Sequence, residues 1–77
     1  MAREYLRVMA VFHENGSILP VSFKLPDGRE FAVERVSDRR PAPSLKAGGQ
    51  GMRYTCTVLG KRIYLFLDEN KWFMEMP

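Results

Sequence analysis

Residues 5–25 read YLRVMAVFHENGSILPVSFKL, and the reading of this stretch decides the fold. Leu6, Val8, Ala10 and Phe12 fall on one side of an extended chain, and Arg7, Met9, Val11 and His13 fall on the other. That period of two is the signature of a β-strand, and no helical period persists anywhere for the ten or so residues a helix needs. Asn15-Gly16 then offers the positive φ values of a two-residue type I′ turn. Beyond it, residues 18–25 return with Leu19, Val21, Phe23 and Leu25 in phase. The stretch predicts an antiparallel hairpin whose second strand is bent or at an edge near its start, because Pro20 has no amide hydrogen to give to a ladder.

Working outward, Pro26-Asp27-Gly28 is a turn in which Pro presets φ, Asp bonds the backbone ahead of it and Gly takes the left-handed position. It predicts a third strand over 29–36, with Phe31 and Val33 inward. Met52, Tyr54, Cys56 and Val58 alternate with Arg53, Thr55, Thr57 and Leu59 to give a fourth strand. Gly60-Lys61 reads as the next tight turn, residues 62–68 as a fifth strand, 68–71 as a polar turn and 72–76 as a short sixth. Five to six short antiparallel strands in meander order predict an all-β fold, a small barrel or curled sheet, since closure removes exposed edges. An SH3-like barrel fits the pattern first. An OB-like barrel is the alternative, but the segment where it would carry a helix holds at most one helical turn, with Ser44 as its N-cap.

That segment, 37–51, reads as a loop of about 15 residues, long beside the usual 4 to 6 for a compact domain. Pro41 and Pro43 stiffen its first half and Gly48, Gly49 and Gly51 loosen its second. Leu45, the only large apolar side chain between Val36 and Met52, would anchor it over an open end of the barrel.

A chain of 77 residues has room for one core, so residues 1–77 are expected to form a single domain. Its composition, 45% hydrophobic with nine aromatic rings, is that of a folded domain and not of a disordered tail. The longest purely apolar run, IYLFL, is too short to cross a membrane, and Glu4 and Arg7 interrupt any secretory leader. A single cysteine points to a reducing, cytoplasmic setting, and without clustered His or Cys neither a metal nor a cofactor is expected.

The overall charge of +3 is unevenly laid out. Between residues 35 and 62 stand Arg35, Arg39, Arg40, Lys46, Arg53, Lys61 and Arg62 against Asp38 alone, while the remainder carries five basic and eight acidic residues. Such a basic segment, with tyrosines beside it, has the makings of a surface that neutralises phosphates and stacks bases. The residues expected to carry binding are Arg39, Arg40, Lys46, Arg53, Arg62 and Tyr64, with Trp72 if its ring is exposed. The plainer alternative pairs Arg35, Arg53 and Arg62 across strands with Glu30, Glu34 and Asp68. A protein partner docked on the same face is a further alternative, and it would need an exposed apolar patch around Trp72 or Tyr64.

Catalytic patterns are sparse, and no catalytic residue is expected. Cys56 with His13 would be a thiol and a base, but Cys56 falls on the inward phase of a strand, the place of a buried small hydrophobe. Gly48-Gly49-Gln50-Gly51 precedes a strand, whereas phosphate-cradling glycine loops precede a helix. In its letters, Ala47-Gly48-Gly49-Gln50 resembles the AGGQ of peptide-chain release factors, and that resemblance would imply a GGQ-type hydrolase as a remote alternative. A longer resemblance spans RVSDRRPAPSLKAGGQGMRYTCTVLGKRIYLFLDENKWF together with DGREF. This pattern is similar to a group of small proteins from Gram-positive, clostridia-like bacteria that have no known activity. It implies that Arg39, Arg40, Pro41, Gly48, Gly49, Gly51, Arg53, Tyr54 and Trp72 occupy signature positions, and that the chain is a complete, free-standing protein. The sequence as a whole predicts a non-enzymatic binding module that takes nucleic acid or, alternatively, a protein partner.

Overall fold

The computed structural model describes residues 4–43 and 50–77. Among them are seven strands and no helix: β1 (Tyr5–Phe12), β2 (Ile18–Lys24), β3 (Glu30–Ala32), β4 (Arg35–Pro43), β5 (Gln50–Val58), β6 (Lys61–Asp68) and β7 (Lys71–Glu75). All pair antiparallel in the order β3-β2-β1-β7-β6-β5-β4, and the sheet curls into a half barrel. Every neighbour except β1–β7 is consecutive in sequence, so the order is a meander without the Greek-key path that the OB-like alternative requires.

Two places bend the sheet. β1 pairs with β7 at Tyr5 and Leu6 and with β2 from Arg7 onward, so one strand serves both halves. At the other side, β3 and β4 lie at opposite edges although only Val33 and Glu34 separate them. The Val33 amide donates to the Val21 carbonyl at 2.8 Å, and the next amide, Glu34, donates to the Thr57 carbonyl at 2.8 Å. The chain thus passes from one edge to the other within a single peptide unit.

β4 corrects the expected loop at 37–51: its first half is a strand, with Arg35 through Pro43 paired against Thr57 through Gln50. Pro41 and Pro43 are tolerated because β4 is an edge strand, where a missing amide faces no neighbour. Residues 44–49, including Leu45, Lys46 and the one expected helical turn, lie outside the described residues.

The turns also differ from expectation. Asn15-Gly16 is not a two-residue turn: the Gly16 amide bonds the His13 carbonyl, the His13 amide bonds the Ser17 carbonyl, and only Gly16 has positive φ. Asn15 stays right-handed because its Oδ1 accepts from the Ser17 amide at 3.0 Å. Leu25 to Arg29 repeats this three-residue pattern, with Asp27 Oδ1 accepting from the Arg29 amide at 3.0 Å. The β5–β6 turn is Leu59-Gly60 rather than Gly60-Lys61, since Val58 pairs with Lys61 and both turn residues have positive φ. The β6–β7 turn is the expected polar one, centred on Glu69 and Asn70.

The concave side holds the core: Phe23, Tyr54, Cys56, Val58, Ile63, Leu65 and Trp72, flanked by partly buried residues from all seven strands, Leu6, Ile18, Phe31, Val36, Met52, Leu67 and Met74 among them. A register shift opposite Met9 and Ala10 leaves Val21 unpaired, so Pro20 and Phe23 turn inward and Val21 is exposed, against the simple alternation. The convex side carries a second apolar layer. Phe66 and Phe73 stack with centroids 4.9 Å apart, and Tyr64 and Tyr5 close the stack edge-on at its two ends.

Candidate functional site

Facing partners in an antiparallel sheet share a side, so the register assigns each basic residue to a surface. On the convex side one rung is Arg35–Thr57–Arg62, the next Asp38–Thr55–Tyr64–Glu75, and the next Arg40–Arg53–Phe66–Phe73–Tyr5. Arg35, Arg40, Arg53, Arg62 and Tyr64 therefore stand together on β4–β6. The phase of β4 is set by a bulge: the register slips between Val36 and Asp38, where the Ser37 hydroxyl donates to the Thr55 carbonyl at 3.3 Å. This slip puts Arg40 opposite Arg53 and sends Arg39 to the concave side opposite Tyr54.

The arginines differ in their surroundings. Arg53 lies with its guanidinium carbon 4.7 Å from the Tyr64 ring centre, and its buried Nε has no hydrogen-bond partner. Arg40 Nε bonds Asp38 Oδ2 at 2.8 Å, which spends part of its charge within the protein. Arg35 and Arg62 are exposed and make no ion pair among the described residues. The plainer cross-strand pairing is not what forms. Glu30 reaches Lys24 at 3.8 Å, and Glu34 accepts from the Leu59 and Gly60 amides at 2.9 and 3.4 Å.

Four of the seven expected residues thus share one surface: Arg40, Arg53, Arg62 and Tyr64. Arg39 sits on the other side, where its charge opposes the effect of burial, which raises the Tyr54 pKa. Trp72 does not meet the condition of an exposed ring and drops out of the expected set: it is 9% exposed, packed on Tyr54 with centroids 5.4 Å apart. Lys46 lies outside the described residues. Arg35 is the addition, and its signal was present in the sequence as one more basic residue next to Val36.

Among the described residues, no exposed apolar patch surrounds Trp72 or Tyr64. Of the exposed large apolar side chains, Tyr5, Met9, Val11, Phe12 and Val21 belong to β1 and β2, and Leu59 and Met76 lie at the β5–β6 turn and just after β7. Cys56 is fully buried as expected, its thiol donating to the Tyr54 carbonyl at 3.5 Å, and burial pushes its pKa up to about 11. His13 lines a shallow hollow with Glu14, Asn15, Ser17 and Leu19, away from that thiol. In the glycine-rich motif, Gly48 and Gly49 lie outside the described residues, while Gly51 has a packing role. A Cβ there would stand 2.7 Å from the Leu67 carbonyl oxygen. Among the described residues no helix is long and apolar enough to cross a membrane. Compared with known proteins, the chain matches no protein family, no curated protein and no solved structure.

Proposed function

We propose that the protein is a small, non-enzymatic, SH3-like β module of the cytoplasm that binds single-stranded nucleic acid across the convex face of β4–β6. The observation that carries the reading is the clustering of Arg35, Arg40, Arg53 and Arg62 on one surface, with only Arg40 held by an acid among the described residues. Guanidinium groups left without acids are free to meet phosphates, and each phosphate they neutralise releases a counterion. Tyr64, half-buried between the two arginine rungs, carries the Arg53 guanidinium on its ring, and together they form a flat cationic and aromatic surface for a base to stack on. A single strand suits this face better than a duplex, because among the described residues the surface is a convex sheet with no helix to enter a groove.

The test is fluorescence anisotropy with a labelled oligodeoxythymidine at low salt. Arg35→Glu with Arg62→Glu is expected to weaken binding at least tenfold, about 1.4 kcal/mol. The control pair Arg7→Glu with Lys24→Glu, on the opposite half of the sheet, is expected to leave it nearly unchanged. Equal losses in both pairs, or no binding by the wild-type protein, would remove the reading.

A further inference from the structure

At the open end of the half barrel, on the side away from the arginines, lies a groove of about 460 Å³. Phe23, Phe31, Ile63 and Met74 form its floor, Leu59 and Met76 its rim, and Arg29 and Lys61 stand at its mouth. The size is in the range of small-molecule sites, which are apolar, carry few polar groups and often occupy the mouths of β-barrels. We infer that this groove binds a linear aliphatic carboxylate, its chain against Phe23, Phe31 and Met74 and its headgroup between Arg29 and Lys61.

Charge complementarity selects that ligand. Lys61 is exposed and makes no ion pair among the described residues. Arg29 shares Asp27 at 2.8 Å, but its guanidinium also lies 5.9 Å from the Phe31 ring centre, at the edge of the apolar floor. The acid that could cancel Lys61 from the β3–β4 corner, Glu34, is engaged by the Leu59 and Gly60 amides. Lys61 therefore stands at the mouth as a cation without an ion pair among the described residues, beside an apolar lining, and an anionic headgroup on an alkyl chain answers both features where a neutral one answers only the second.

The rim is built in an unusual way. Leu59 has φ of 51°, a left-handed conformation that costs a bulky residue energy, yet it is 71% exposed and gains no core contact in return. Holding a leucine there places an apolar side chain over the groove that glycine would not supply. Met74 and Met76 add unbranched, adaptable side chains that can follow the shape of a guest.

The test uses the full chain, octanoate, decanoate and decan-1-ol below their aggregation limits, and the methionine methyl signals in NMR. Decanoate should shift Met74 and Met76 saturably, leave Met9 in place and bind at least tenfold tighter than decan-1-ol. Going from octanoate to decanoate should tighten binding several-fold, since each buried methylene contributes roughly a factor of four at full burial. Lys61→Glu, an exposed change whose folding the dispersed spectrum verifies, should abolish the preference for the acid over the alcohol. Shifts that do not saturate, an alcohol that binds as well as the acid, or an unchanged preference in Lys61→Glu would each overturn the inference. Because the arginine face lies on the other side of the sheet, the Arg35 and Arg62 variants should bind decanoate like the wild type.

Discussion

The β1–β3 and β5–β7 hairpins make the same antiparallel turns by different means. In the first set, three-residue turns place a glycine, Gly16 or Gly28, in the left-handed position, and an Asn or Asp side chain ties the corner. In the second, two-residue turns put Leu59, Glu69 and Asn70 in left-handed conformations, with Gly60 the only glycine among them. Burial follows the same division. β1 and β3 have no buried residue and β2 contributes Pro20 and Phe23, whereas β5–β7 supply Tyr54, Cys56, Val58, Ile63, Leu65, Phe66, Trp72 and Phe73. The second set is packed on both faces, and this packing holds tight turns that isolated chains resist. Arg53 and Arg62 stand on this set and Arg35 and Arg40 on the adjoining β4, so the better-packed half presents the charge and the looser half most of the exposed apolar side chains.

The contrast can be broken most strongly at the convex stack. Phe66→Ala removes a fully buried ring lying 4.9 Å from Phe73, and urea unfolding should show a loss of about 3 to 5 kcal/mol. Phe12→Ala, in a ring 76% exposed on the other half, should stay within about 0.5 kcal/mol. Gly51→Ala comes next, because its Cβ would press on the backbone of Leu67 rather than on a side chain that can swing away. A loss of about 1 to 3 kcal/mol is expected, readable as a lower thermal midpoint.

Glu34 ties the strand crossing at Val33 and Glu34 to the Leu59-Gly60 turn, so Glu34→Ala should cost about 1 kcal/mol, below the usual value for bonds to a charged group because the site is exposed. Leu59→Gly should reverse part of this, since glycine adopts the left-handed conformation without strain. A pH series separates the halves in another way. Burial raises Cys56 from its ordinary 9.0 to about 11, and raises Tyr54 as well, so the folded state holds protons that the unfolded chain releases. The contribution of these two groups is then constant below pH 9 and falls as pH climbs toward 11, and Cys56→Ala should make that fall shallower.

The strands were legible because period-two alternation and turn residues survive in the sequence wherever one face is buried, as from Met52 to Val58. The second sheet edge was not, because Pro41 and Pro43 argue against a strand until the edge position that tolerates them is known. The two bulges, at Val21 and Ser37, shift the phase by one residue, and a period of two carries no mark of such a slip. That is why Arg39 and Arg40 cannot be told apart from the sequence and why the simple alternation puts Val21 in phase with Phe23; Trp72 is a separate case, since alternation alone does not say which side of β7 faces the concave core. The convex burial of Phe66 and Phe73 was hidden for a related reason: alternation assigns sides but does not say that both sides will be covered.

The most direct test of the arginine face is the salt dependence of single-strand binding. With four arginines on phosphates, log affinity should fall against log salt with a slope near −3, from about 0.7 per contact on a single strand. Replacing Arg35 and Arg62 by Ala should lower the magnitude of that slope by about 1.4. A slope that is unchanged in the double variant, or wild-type binding indifferent to salt, would contradict the claim that this face meets nucleic acid.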